Sequence, residues 1–146
     1  MKLVCQASIQ IQKPAGVVFE NIVNPDNMTQ YFIATSTGRM EEKTELVWTF
    51  PEFEDKCPVS VTGIVPDLSV EFVWDPETVV RIELNELEDK STVVKVTEDG
   101  KEISENNLKW FRGNTEGWAN FLACLKAYSE YGINLRKGAF DFMKQV

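Results

Sequence analysis

Residues 114–136 read NTEGWANFLACLKAYSEYGINLR. Trp118, Phe121, Leu122, Leu125 and Tyr128 follow the i, i+3, i+4, i+7 spacing of one helical face. Asn114 or Thr115 is placed to cap the start, with Glu116 in the first turn, where the helix dipole favours a negative charge. Gly132 suits the left-handed residue just past the end. A helix from Thr115 to Tyr131 is roughly 25 Å long, enough to lie across a small sheet.

Upstream the texture is that of strands. Leu3, Cys5, Ala7, Ile9 and Ile11 alternate with polar residues, the period of a half-buried strand. Lys13-Pro14-Ala15 opens a short helix with Val18, Phe19 and Ile22 on its apolar side, and Asn24-Pro25-Asp26 breaks it. A second short helix is predicted over Asp26 to Phe32, turning Met28, Tyr31 and Phe32 inward. From Ser36, alternating runs carry Leu46/Trp48/Phe50, Val59/Val61, Val70/Phe72/Trp74, Val80/Ile82/Leu84 and Thr92 to Thr97. Turn signals stand at Pro66-Asp67, Asp75-Pro76-Glu77 and Asp99-Gly100, and Gly63 suggests a bulge. Short turns force antiparallel pairing, because parallel strands need a crossover of a dozen or more residues. The predicted order is one strand, two short helices, five or six strands and one long helix: an α+β chain whose helix must bury its stripe against the sheet. A curved sheet and that helix would enclose a cavity.

The 146 residues are read as a single domain, 1–146, long enough for a real core. Fifteen basic and 23 acidic side chains leave a net charge of −8, which argues against nucleic acid as a partner. No apolar run approaches the ~20 residues a bilayer-spanning helix needs, so no membrane insertion is expected. Cys5, Cys57 and Cys124 are odd in number and far apart, without a CxxC or a signal-peptide pattern. They read as reduced thiols in a cytoplasmic protein, Cys124 packed on the helix and Cys57 in a loop before Pro58. Histidine is absent, which removes the commonest general base and transition-metal ligand. No catalytic residue, metal site or cofactor is assigned. The acidic groups Glu41-Glu42, Glu52 with Glu54-Asp55, and Glu86 with Glu88-Asp89 read as solvated loops and faces.

One set of residues resembles a known family. Thr115-Glu116-Gly117-Trp118, Leu122, Leu125-Lys126-Ala127-Tyr128 and Gly132-Ile133-Asn134-Leu135-Arg136 form its most specific part. Pro14 with Val18-Phe19, Asn24-Pro25 with Met28 and Tyr31, Gly38-Arg39-Met40 before Val47-Trp48, and Phe72-Val73-Trp74 support it. The chain resembles the activator of heat-shock-protein-90 ATPase homologue 1-like family, within the START-like (SRPBCC) superfamily. The resemblance implies a helix-grip fold, a curved antiparallel sheet wrapped around the C-terminal helix. Relatives hold lipids, sterols or polyketides in the grip, some are cyclases or dehydratases, and the family's namesake is a co-chaperone.

Three functions follow as expectations. The first is binding of a hydrophobic or amphipathic, lipid-like small molecule between sheet and helix. The second is a chaperone-associated protein-interaction module, favoured if no cavity exceeds about 300 Å³. The third is a cyclase- or dehydratase-type enzyme, which needs a converging acid and base that the sequence does not display. Ligand-lining candidates are Tyr31, Trp48, Phe72, Trp74, Arg81, Trp118, Leu122 and Tyr128. The aromatics among them have filling of the core as their alternative. Arg81, opposite Val80, Ile82 and Leu84, either lies on a solvated face or points inward, where it would need a ligand carboxylate or a neighbour as partner. Trp110 is expected just before the helix cap, closing one end.

Overall fold

The structure is a computed structural model, and it describes residues 1–144. Alternation of apolar and polar residues builds β1 (Lys2–Ile11), β2 (Thr35–Ser36), β3 (Glu45–Phe50), β4 (Phe53–Val65), β5 (Ser69–Val73), β6 (Val79–Glu86) and β7 (Thr92–Glu102). These pair antiparallel throughout, in the order β1-β7-β6-β5-β4-β3-β2, as one curved sheet. Between β1 and β2 come the two short helices α1 (Ala15–Val23) and α2 (Pro25–Met28). The long helix α3 (Glu105–Tyr131) follows β7, and a short 3₁₀ turn spans Asp141–Met143. This is the helix-grip architecture.

The sheet's inner face carries Leu46, Trp48, Val59, Val61, Val70, Phe72, Val80, Ile82, Val94 and Val96, all buried against Trp118, Phe121, Leu122 and Leu125 of α3. Cys5 and Ile11 of β1, and Val18, Phe19 and Ile22 of α1, complete the same core. Gly63 does mark a bulge: pairing of β4 with β5 slips one residue between Val61 and Gly63. Cys124 is buried as expected, whereas Cys57 is a half-buried residue of β4 and not a loop residue, because β4 runs unbroken through Pro58.

Three element boundaries depart from expectation. The long helix begins nine residues before Asn114, with Ser104 as its cap: Ser104 Oγ accepts a hydrogen bond from the Asn107 amide at 3.1 Å. Asn114 and Thr115 are interior residues; Asn114 Nδ2 donates to Glu98 and the Thr115 hydroxyl to the Phe111 carbonyl. Trp110 therefore sits in the helix, half-buried, with Lys101 Nζ 5.2 Å from its ring centre. The cap chemistry of Asn114 and Thr115 gave the false boundary, and Gly113 beside them weakens the helix by about 1 kcal/mol relative to alanine. Packing against β1 overrides that local cost. At the far end Gly132 adopts φ 67° and closes the helix as the sequence implies.

Asp99-Gly100 is not a turn: β7 continues through it, pairing with β1 and β6. Gly100 is needed there for another reason. Its φ is 139°, and a Cβ would lie 2.0 Å from the Glu77 carbonyl oxygen. Finally, α2 stops at Met28, so Tyr31 and Phe32 enter the core from the turn that follows it.

Candidate functional site

Most of the interior between sheet and helix is filled. Trp48 packs edge-on to Phe72 at 5.5 Å, Phe32 to Phe121 at 4.7 Å, and Trp118 to Phe121 at 5.4 Å between ring centres. Of the two interiors that the alternation allows, open or filled, the grip is therefore filled by side chains along much of its length. Space remains at its mouth. A groove of about 270 Å³ lies between α3 and the β3–β4 hairpin, walled by Phe32, Phe50, Phe53, Trp74 and Trp118. Its helical side is open because Gly113 and Gly117, one turn apart, present no side chains there; a Cβ on either would meet nothing within 4 Å. A second cleft of about 550 Å³ adjoins it, lined by Tyr31, Phe32, Glu52, Arg136, Lys137 and Lys144 among others. Phe32 and Arg136 are common to both.

Beneath the groove lies a residue that the sequence reading passed over. Glu98, the inward residue of β7 two positions past Val96, has no solvent exposure. Its Oε2 accepts from Trp74 Nε1 at 2.9 Å and Thr78 Oγ1 at 2.8 Å. Its Oε1 accepts from Asn114 Nδ2 and Trp118 Nε1, both at 2.9 Å. Each carboxylate oxygen thus holds one indole N–H, and the two indoles stack at 5.1 Å with 28° between their planes. The four donors come from β5–β6 and α3, so the carboxylate fastens sheet to helix. Thr92, Val94, Val96 and Glu98 share one face; running that alternation past Thr97 would have exposed Glu98 as an inward acid.

The mouth is crossed by the segment after Gly132. Arg136 Nη2 donates to Glu52 Oε1 at 2.8 Å, and the Glu52 side chain is only 3% exposed. Glu52 is thus no solvated loop residue; a buried carboxylate beside the hairpin turn has recruited a cation from the far end of the chain. The Arg136 guanidinium also lies 4.9 Å from the Phe140 ring centre, 5.6 Å from Phe32 and 5.7 Å from Phe50.

The eight candidates divide accordingly. Trp74 and Trp118 line the groove. Trp48, Phe72 and Leu122 are buried in the packed core, and Trp48 Nε1 has no hydrogen-bond partner among the described residues. Tyr31 borders the larger cleft, but its hydroxyl donates to the Asn21 carbonyl at 2.8 Å, and its ring stacks on Tyr128 at 5.4 Å. Burial, reinforced by Tyr128 and Cys124, pushes the Tyr31 hydroxyl well above its ordinary value, so it is no base at neutral pH. Tyr128 is half-buried and donates to Asn27 Oδ1 at 3.3 Å. Arg81 is excluded from the grip: Val80, Ile82 and Leu84 take the inner face, so Arg81 points to the outer one, where its Nε donates to Glu71 Oε2 at 2.8 Å. Phe50, Phe53, Gly113, Gly117, Glu52, Glu98 and Arg136 were not foreseen at the site.

The family model described as "Activator of Hsp90 ATPase homolog 1-like protein" matches residues 12–130. The chain belongs to this family. Among solved structures, protein SSP2350 from Staphylococcus saprophyticus is 26% identical, with 93% of this chain and 96% of that one aligned at a TM-score of 0.80. The Aha1 dimer from Colwellia psychrerythraea is 18% identical over 89% of this chain and 98% of its own, TM-score 0.76. CalU16 from Micromonospora echinospora is 15% identical over 88% and 77%, TM-score 0.66. The latter two likenesses are likenesses of fold. No curated protein matches the chain. No helix among the described residues is long and apolar enough to cross a membrane.

Proposed function

We propose that this member of the activator of Hsp90 ATPase homologue 1-like family binds a compact amphipathic small molecule in the aromatic groove at the mouth of the grip. The carrying observation is the groove itself: aromatic walls of Phe50, Phe53, Trp74 and Trp118, left open by two helical glycines. Its 270 Å³ equals the share of roughly nine waters in the liquid and by itself falls just short of the ~300 Å³ at which small-molecule pockets begin; the adjoining 550 Å³ cleft exceeds that size. A bicyclic aromatic body fits that description, and a long acyl chain does not. Bulk polar substituents would reach the adjoining 550 Å³ cleft past Phe32 and Arg136. Arg136 is the single titratable side chain on the groove wall among the described residues, so the reading is one of binding rather than catalysis.

Titration of naphthalene-sized probes against the intrinsic fluorescence of Trp74 and Trp118 tests this. Saturable quenching is expected in the wild type and its loss in Gly117→Leu, which fills the groove from the helix without touching the core. Equal binding by both proteins would place the ligand elsewhere and refute the reading.

A protein-interaction role is the second reading. It is favoured by Tyr131, Ile133, Leu135 and Phe142, which are 70%, 52%, 51% and 79% exposed at and beyond the end of α3. A protein partner bound through these residues would be indifferent to Gly117→Leu and sensitive to Leu135→Asp with Phe142→Asp, so the same variants separate the two.

A further inference from the structure

Building on the groove as a small-molecule site, we infer that Arg136 is its polar anchor and that the ligand carries a carboxylate or comparable anionic oxygen on its aromatic body. A guanidinium has five N–H donors. Arg136 uses one side-chain group, Nη2, in a single bond to Glu52 Oε1 at 2.8 Å. Its Nε–H is buried without a partner among the described residues, and Nη1 makes no hydrogen bond to them. Buried donors without acceptors are uncommon in folded proteins. The group also lies over the rings of Phe32, Phe50 and Phe140, 4.9–5.7 Å from their centres. A guanidinium with unused donors, beside three aromatic rings and on the shared wall of two open clefts, is placed to meet an anion that enters from either.

The surroundings favour the same charge. The larger cleft is lined by Arg136, Lys137 and Lys144 against Glu52 and Asp141, three cations to two anions on a chain whose net charge is −8. Lys144 pairs with Asp141 at 3.1 Å and Arg136 with Glu52, which leaves Lys137 without an ion-pair partner among the described residues. The second buried orphan donor, Trp48 Nε1, belongs to a ring 5.9 Å from Phe32, the aromatic that borders both clefts. A plain hydrocarbon in the groove would leave the Arg136 donors unanswered. The role of cation facing the ligand, which alternation on β6 offered to Arg81, thus falls to a residue 55 positions later on the terminal segment.

A matched pair of probes tests the anchor: 2-naphthoate and 2-methylnaphthalene, titrated at pH 7 by tryptophan fluorescence and by calorimetry. The wild type should bind naphthoate at least about tenfold tighter, the value of one charge-assisted hydrogen bond. Arg136→Met alone strands the buried Glu52, so the working variant is Glu52→Gln with Arg136→Met, its fold checked by circular dichroism. In it the preference for naphthoate should vanish, with methylnaphthalene bound within about threefold of wild type. Arg136→Lys should keep part of the preference, since the charge survives and the fork does not. Equal affinities in the wild type, or a preference that survives in the double variant, overturn the anchor and leave the groove intact. Failure of both probes to bind the wild type overturns the groove reading, and the anchor with it.

Discussion

Replacing Glu98 by glutamine changes one atom and should cost the fold about 3–5 kcal/mol. The size follows from how the four donors are shared. Each carboxylate oxygen holds one indole N–H, Trp74 on Oε2 and Trp118 on Oε1. The glutamine amide keeps one oxygen and offers an NH₂ in place of the other. Thr78 can turn its hydroxyl to accept from that NH₂, and Asn114 can flip its amide to do the same. An indole N–H cannot accept, so one of the two tryptophans faces an NH₂ whichever way the amide lies. The loss is one hydrogen bond to a charged group, about 1.5–3 kcal/mol, plus a stranded buried donor at about 1–3 kcal/mol. In urea, with m near 2 kcal/mol/M, the midpoint should fall by about 2 M, followed by far-UV circular dichroism so that the tryptophans do not bias the signal. Trp74→Phe in the Glu98→Gln background should cost less than Trp74→Phe in the wild type, by at least about 1 kcal/mol, because the amide then turns its NH₂ to Thr78. A midpoint shift below about 0.5 M at unchanged m, or strict additivity of the two changes, would refute the reasoning.

Other perturbations have smaller, signed outcomes. Gly117→Leu, introduced to block the groove, should raise the thermal midpoint by about 2–4 °C, because it adds a good helix former where a side chain meets open space; a fall on differential scanning calorimetry would show that the groove is not open at this point. Hydrogen bonding from Arg39, together with its charge, holds the Glu20 carboxyl below its ordinary 4.5. A lowered carboxylate stabilises the fold above its unfolded value and loses that contribution as the pH falls through the folded one, so Arg39→Met should cost under about 1 kcal/mol at pH 7 and converge on wild type towards pH 2. A difference that grows on acidification, in parallel urea titrations, would contradict this sign. Burial raises all three thiols above their ordinary 9.0. Ellman's reagent at pH 8 should therefore react slowly with half-buried Cys57 first, leave Cys5 and Cys124 untouched in the native protein, and reach all three in denaturant.

The period-2 runs made the strands legible, because each has one buried face and one wet one; on β6 the sequence left both orientations open, and the structure turns Val80, Ile82 and Leu84 inward and Arg81 and Glu83 outward. The helical stripe from Trp118 to Tyr128 and the Gly132 stop were equally plain. The helix start was not, because Asn114 and Thr115 carry the local chemistry of a cap, while Ser104, the true cap, lies seven residues past the predicted strand end at Thr97. The site was legible only where it coincides with the core stripe, at Trp74 and Trp118. Glu98 fell between the predicted strand end at Thr97 and the predicted turn at Asp99-Gly100, and the Glu52–Arg136 pair joins residues 84 positions apart. A buried acid is written in sequence exactly like an exposed one until its partners are known, and those partners are set by the chain's path rather than by spacing.

The hydrogen-bonded carboxylate also bears on what the grip can hold. Opening a deep cavity requires an aromatic ring to swing out of the interior. For Trp74 or Trp118 that motion strands an indole N–H, at about 1–3 kcal/mol, and takes from a Glu98 oxygen one of its two donors, a bond to a charged group at about 1.5–3 kcal/mol. An opening cost of 3 kcal/mol would weaken an apparent affinity by roughly 150-fold, so ligands that need those rings moved are disfavoured against ones that lie on them. Trp48 is different. It makes no hydrogen bond through Nε1, and its neighbours Phe32 and Phe72 hold it by packing alone. Turning it aside forfeits contacts but no polar partner, and brings an unsatisfied donor towards any acceptor that enters. If a ligand widens the grip, the wall that yields is the one formed by Trp48 on β3, while the floor formed by Trp74, Trp118 and Glu98 stays fixed.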